Sequence, residues 1–80
     1  MSIAVQIYTI EKTLFEGTAD AVTLPGAEGE LGVLAMHTPL ISSLKRGSIG
    51  IRNGKNVEFV DIKGGFAEVQ PGSKVTILAS

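Results

Sequence analysis

The sequence predicts an all-β domain, a sandwich or barrel of about eight or more short strands. Val, Ile and Thr fill 21 of the 80 positions, and such β-branched side chains lose rotamer freedom in a helix but fit a pleated sheet. Ten glycines and three prolines punctuate the chain at intervals that leave room for strands and not for helices. No window of about a dozen residues free of both carries apolar residues at three-and-four spacing, so no amphipathic helix is expected.

Taken in order, Ile3 to Ile10 reads as a strand with Ile3, Val5 and Ile7 on a buried face and Ala4, Gln6 and Tyr8 on the other. After the polar Glu11-Lys12-Thr13 turn, Leu14-Phe15 and Gly17 to Leu24 read as strand, with Ala19, Ala21 and Thr23 alternating against Thr18, Asp20 and Val22. Pro25-Gly26 ends that strand as a turn. Glu30 to Leu34, Leu40 to Leu44 and Ser48 to Arg52 follow as short strands. Asn53-Gly54 reads as a two-residue hairpin turn because both residues tolerate positive φ. Val57 to Lys63 returns from it, and Phe66 to Gln70 and Val75 to Ala79 close the series around Pro71-Gly72. Gly64-Gly65 is expected to let two backbones approach closely, with Phe66 in the core. Replacing Phe59 or Phe66 by Ala, if buried, is then expected to cost roughly 3 to 5 kcal/mol.

A mass of 8.3 kDa allows one core over residues 1–80, with no internal repeat, low-complexity tract or linker. Size scaling gives ~4,600 Å² of folded surface against ~12,000 Å² unfolded, so about 60% is buried and the stability margin is modest. Cysteine is absent, which removes disulfides and thiolate metal sites as staples and makes a protein partner the interesting alternative. Seven basic and eight acidic residues nearly cancel, with no basic block or aromatic series for nucleic acid to engage. The longest uncharged stretch, Leu31 to Leu44, contains Gly32, His37 and Pro39 and is too short to span a bilayer. The N-terminal residues lack a basic n-region and a small-residue cleavage site, so a cytoplasmic location is expected, with any membrane attachment made through other proteins.

Candidate chemistry is sparse. His37 is the sole histidine and has no neighbour at metal-ligand spacing. Glu28 and Glu30 are a close acidic pair without a basic or histidine partner nearby in sequence, better read as a solvated turn than as an acid/base pair. The run Gly26-Ala27-Glu28-Gly29-Glu30-Leu31-Gly32 lacks the lysine and following helix of a phosphate loop, and its carboxylates repel anions. No catalytic residue, metal or cofactor is expected. Lys45-Arg46-Gly47 reads as a solvated basic turn, and His37-Thr38-Pro39 as a turn in which the imidazole hydrogen-bonds locally. Both faces of Val57 to Ile62 and of Val75 to Leu78 carry apolar residues, so a protein is expected to cover the outer side.

The ordered string is more specific than its pieces. Phe15-x-Gly17, Val22-x-Leu24-Pro25-Gly26-Ala27-Glu28-Gly29-Glu30-Leu31-Gly32-Val33-Leu34, His37-x-Pro39-Leu40, Leu44-Lys45-x-Gly47, Gly64-Gly65-Phe66-x-Glu68-Val69 and Val75-x-Ile77-Leu78-Ala79 together resemble the epsilon subunit of bacterial F-type ATP synthase over nearly the whole chain. The resemblance implies a flattened antiparallel β-sandwich of ten strands. It implies a non-catalytic rotor part at the foot of the central stalk, binding the gamma subunit and the membrane c-ring on the cytoplasmic side of the bacterial inner membrane. On that resemblance the ring-facing loop falls on Gly29, Glu30, Leu31 and Gly32, and gamma-facing positions fall on Thr9, His37 and Ser42.

Two departures bear on function. Many relatives carry Pro-Gly before the histidine, where this chain has Ala35-Met36, so the turn that aims His37 is expected to differ. The family's C-terminal helical hairpin, which can bind ATP or extend along gamma to inhibit hydrolysis, is expected to be absent. Coupling without inhibition by helix extension, and no nucleotide site, are the expectations. Against the rotor reading stand a self-sufficient β-sandwich module binding a ligand or peptide, and an enzyme in which His37 meets Glu28 or Glu30.

Overall fold

A computed structural model describes residues 1–80 and contains nine strands: β1 (Ile3–Tyr8), β2 (Thr13–Ala19), β3 (Ala21–Gly26), β4 (Gly29–Leu34), β5 (Leu40–Leu44), β6 (Gly47–Asn53), β7 (Asn56–Ile62), β8 (Gly65–Gln70) and β9 (Lys74–Ala79). The all-β expectation holds, with nine strands where the resemblance implied ten. Eight strands follow one hydrogen-bonded path, β2-β1-β9-β8-β5-β3-β6-β7, and β4 pairs with β3 off that path. The path folds over on itself. Strands β2, β1, β9, β8 and β5 make one layer and β4, β3, β6 and β7 the other. The layers join through the single register pair Gly26 with Leu44, flanked by Ala27 N–H to Ser43 O and Lys45 N–H to Pro25 O, both 2.9 Å.

The pairing departs from a purely antiparallel sheet at one place, where β1 and β9 run parallel. A parallel neighbour cannot be joined by a hairpin. Here the chain leaves β1, builds the second layer and returns as β9 beside its own beginning.

Alternation supplies the core. Ile3, Val5 and Ile7 of β1, Val75, Ile77 and Ala79 of β9, and Ala67 and Val69 of β8 point inward from one layer. Val22 and Leu24 of β3, Val33 of β4, Ile49 and Ile51 of β6 and Ile62 of β7 meet them from the other. No polar or charged side chain is buried. The accessible surface of 4908 Å² lies slightly above the ~4,600 Å² expected for this mass, so the fold buries slightly less than is usual for its size.

Four local readings change. Gly17 to Leu24 is not one strand: Asp20 divides it, its N–H donating to Arg52 O at 2.8 Å and its carboxylate accepting the Gly54 N–H at 2.7 Å. Tying the Asp20 backbone and side chain to the β6–β7 hairpin reverses the alternation. Ala19, Val22 and Leu24 are therefore buried while Ala21 is half-buried and Thr23 is exposed. Pro25-Gly26 does not form the turn but ends β3, with the turn at Ala27-Glu28 between the paired Gly26 and Gly29. The β6–β7 turn is displaced too, by one residue, to Gly54-Lys55, because Asn53 pairs with Asn56. Only Gly54, at φ 62°, has positive φ there, the Gly-X pattern of a type II′ hairpin. Asn53 instead donates from its side chain to Thr18 O at 3.0 Å.

The fourth change is Phe66, which is 58% exposed and not in the core. It shares its phase with Glu68 and Gln70, opposite the buried Ala67 and Val69. Phe59 is 69% exposed. Phe66→Ala is therefore expected to shift the urea midpoint by less than about 1 kcal/mol in stability, since little apolar surface returns to water. A loss near the roughly 3 to 5 kcal/mol typical of a buried phenylalanine would contradict the outward placement.

Candidate functional site

The β3–β4 hairpin presents the acidic run at its tip. Gly26 and Gly29 close the two-residue turn, and Glu30 sits opposite Pro25. Gly29 has φ 137°, a conformation that L side chains rarely adopt. An added Cβ there would meet nothing within 4 Å, so backbone conformation and not crowding keeps the position bare. Another chain can thus come close to the main chain at Gly29. Glu28, Gly29, Glu30 and Gly32 are exposed and Leu31 is half-buried against the core.

Strand β5 runs beside this hairpin and completes an open groove of about 540 Å³ lined by Gly26 to Leu31 and Leu40 to Ser43. Four of the seven positions singled out by resemblance, Gly29, Glu30, Leu31 and Ser42, share that groove. Gly32, Thr9 and His37 lie off it. Ser42 is half-buried and its hydroxyl donates to Ser43 O at 3.2 Å.

Thr9 builds the β1–β2 turn. Its N–H donates to Lys12 O at 2.8 Å, and its hydroxyl oxygen accepts the N–H groups of Glu11 at 3.2 Å and Lys12 at 3.1 Å. The hydroxyl is committed to its own loop, as Ser and Thr side chains at turns commonly are.

His37 follows a tight turn in which its N–H donates to Leu34 O at 3.2 Å. Met36, the third residue of that turn, has φ 66°, the type II pattern that glycine ordinarily fills. Ala35-Met36 thus closes a turn of the kind that Pro-Gly favours. The imidazole Nδ1 is 2.6 Å from Thr38 O. A carbonyl oxygen only accepts, so Nδ1 carries the proton and Nε2 is the nitrogen left for another group. The local hydrogen bond read from the sequence is present.

A second depression, about 250 Å³, lies on the outer face of the first layer between Tyr8, Ile41, Phe66, Ala67, Glu68, Thr76 and Leu78. Ile41, at 73% exposed, Phe66 and Leu78 make this an apolar surface with acidic Glu68 within it. Sequence reading missed Ile41 and misplaced Phe66. The available signal was phase, because Phe66 alternates with Ala67 and pairs with Leu78, itself out of phase with Val75 and Ile77. The second layer exposes Leu34, Val57 and Phe59, the last being one of the residues whose two-sided apolar strand suggested a covered surface.

Chemically, these features offer contact. No hydrogen bond joins His37 to Glu28 or Glu30, the imidazole being engaged by Thr38 O. No three His, Asp or Glu side chains are gathered closely enough to hold a metal ion, and no helix is long and apolar enough to cross a membrane.

Residues 2–80 match the model of the ATP synthase, Delta/Epsilon chain, beta-sandwich domain. The chain is 46% identical over 69 residues to the ATP synthase epsilon chain of Caulobacter vibrioides, a match spanning 86% of this chain and 79% of that one. It is 40% identical over 79 residues to the ATP synthase epsilon chain of Acidithiobacillus ferridurans, covering 99% of this chain and 55% of the relative. Among solved structures, a chain of the Euglena gracilis mitochondrial ATP synthase, OSCP/F1/c-ring in rotational state 1, superposes with a TM-score of 0.90 at 28% identity, over 98% of this chain and 50% of that chain. A chain of the Tetrahymena thermophila mitochondrial ATP synthase central stalk and c-ring shares the fold, with a TM-score of 0.77 at 21% identity over 99% of this chain and 63% of that one.

Proposed function

Because this chain belongs to the family of ATP synthase delta/epsilon chain β-sandwich domains, we propose that it is a central-stalk subunit that couples ion-driven rotation to ATP synthesis. The observation that carries this reading is the family match over residues 2–80, supported by epsilon chains as curated relatives. The chain spans about half to four-fifths of those relatives' lengths. The subunit is non-catalytic. It transmits torque through two contacts and a hydrogen-bonded body between them, and attaches to the cytoplasmic side of the bacterial inner membrane through the assembled complex.

The hairpin tip at Gly29, Glu30, Leu31 and Gly32 faces the c-ring in this proposal, with the Glu30 carboxylate opposite a basic or polar ring loop and bare Gly29 admitting close backbone approach. Thr9, His37 and Ser42 face the gamma subunit. Of these, His37 is the best presented, having Nε2 free. Thr9 contributes the shape of its turn, because its hydroxyl is already used. A self-sufficient ligand-binding module is not favoured, since the relatives matched across the chain are epsilon chains.

Co-expression with the gamma subunit of the same ATP synthase tests the assignment: co-purification is expected, and its absence overturns it. Glu30→Lys tests the ring contact. Glu30 is exposed, so the substitution is expected to alter stability by less than about 0.5 kcal/mol, while ATP-driven proton or sodium pumping in membrane vesicles falls. Unchanged pumping and assembly with the charge reversed would count against Glu30 at the ring.

A further inference from the structure

Met36, at φ 66°, and Ser73, at φ 56°, are the only two non-glycine residues with positive φ. They lie 37 positions apart, yet one hydrogen bond joins them, from the Met36 N–H to the Ser73 Oγ at 2.9 Å. Left-handed backbone is disfavoured for any L side chain and persists only where surrounding structure enforces it.

The bond falls on the one peptide that decides the turn. Leu34-Ala35-Met36-His37 is closed by the His37 N–H to Leu34 O bond. Types I and II of such a turn differ by a flip of the central peptide, here the one joining Ala35 to Met36. In type I that flip brings Met36 to negative φ, which methionine prefers. Ala-Met has neither the Pro at the second position nor the Gly at the third that favours type II. The acceptor that holds the Met36 N–H in the type II orientation is Ser73. Ser73 is itself fixed, because its carbonyl accepts the Ala4 N–H at 2.9 Å and it closes the three-residue turn between the paired Gln70 and Lys74. The His37 turn, which leaves the end of β4 in the second layer, is thereby latched to the first layer at the β8–β9 turn.

We propose that Ser73 is a positioning residue that selects the type II form of the Leu34–His37 turn and so aims His37 at the gamma subunit. The aim at gamma rests on the function proposed above, and the selection of the turn on the hydrogen bond and the two dihedrals. Ser73→Ala removes the acceptor and spares the backbone. The turn is then expected to flip to type I, so that the strong nuclear Overhauser contact between Ala35 Hα and the Met36 amide, a mark of type II, weakens. Gamma affinity, measured by calorimetry on the folded chain, is expected to fall about tenfold, equivalent to about 1.4 kcal/mol. Ala35→Pro with Met36→Gly favours type II without the latch and is expected to restore affinity to the Ser73→Ala chain. In a His37→Ala background, Ser73→Ala is expected to add nothing, because its effect passes through the imidazole.

Retention of the strong Ala35–Met36 contact in Ser73→Ala overturns the proposal. An affinity within twofold of the parent, when His37→Ala alone weakens binding, overturns it as well and leaves the gamma reading intact. If His37→Ala binds gamma as tightly as the parent, the assignment of His37 to that interface fails and takes this role for Ser73 with it.

Discussion

Gly65→Ala is expected to cost about 4 kcal/mol, from a strained dihedral and an overpacked contact each worth roughly 1 to 3 kcal/mol. Gly65 has φ 139°, where an L side chain is disfavoured. An added Cβ would also overlap the Leu78 carbonyl oxygen and stand 3.0 Å from the Ala79 Cα. That atom is backbone on the neighbouring strand β9, so it cannot swing aside as a side-chain tip could. Relief would require parting β8 from β9, where Gly65 pairs with Ala79 and Phe66 with Leu78. For a domain of this length the whole stability is roughly 4 to 12 kcal/mol, so the variant is expected to be largely unfolded or to melt far below the parent. Gly32→Ala is the control. It lies in ordinary strand backbone with nothing within 4 Å of an added Cβ, and its urea midpoint should barely move. Similar melting of Gly65→Ala and the parent would show that the strands can separate there at little cost.

Ile77→Ala is expected to cost roughly 2 to 5 kcal/mol. Ile77 is fully buried on β9 and stands between Ile7 of β1 and Ala67 of β8. Its neighbour Ala67 is too small to fill the space left, and Ile7 is held in register by its own strand pairing, so the cavity cannot collapse easily. The loss is readable as a fall in urea midpoint with an unchanged slope. A change under 1 kcal/mol would mean that the two layers close over the gap. The pair of variants separates backbone proximity from side-chain packing, since Gly65→Ala adds one carbon where none fits and Ile77→Ala removes three from a filled core.

Most strands were legible because one-sided burial leaves a period-two trace. Ile3, Val5 and Ile7 were read as inward and are fully buried, and Leu40 to Leu44 was bounded as the structure has it. One error fell where the chain changes layer, between β2 and β3, and others at hairpin turns within a layer. Between Gly17 and Leu24 the pattern has two phases, and nothing local announces that Asp20 is tied to Arg52 and Gly54, more than thirty residues away. The turns at Pro25-Gly26 and Asn53-Gly54 were displaced by one or two residues, because pairing across the hairpin and not the turn residues sets where the ladder ends.

The candidate site was legible in a different way. Residue chemistry singled out the acidic hairpin and the local His37 bond, but the roles of Glu30, Thr9, His37 and Ser42 came from resemblance. The geometry then separated these positions, putting Glu30 and Ser42 on one groove and leaving Thr9 occupied with its own turn. Phe66 was misread because an aromatic residue beside two glycines looks like core, whereas its phase with Glu68 and Gln70 carries it outside.

Composition and alternation settle that the chain is all-β with a single apolar core, because branched side chains and a two-residue period act between near neighbours and need no distant partner. Ordered motifs settle its family. Which layer each strand joins, the parallel union of β1 with β9, the outward aim of Phe66 and the serine that holds the His37 turn are decided in three dimensions. Each depends on a contact between residues far apart in the chain, and such contacts leave no periodic mark on either segment.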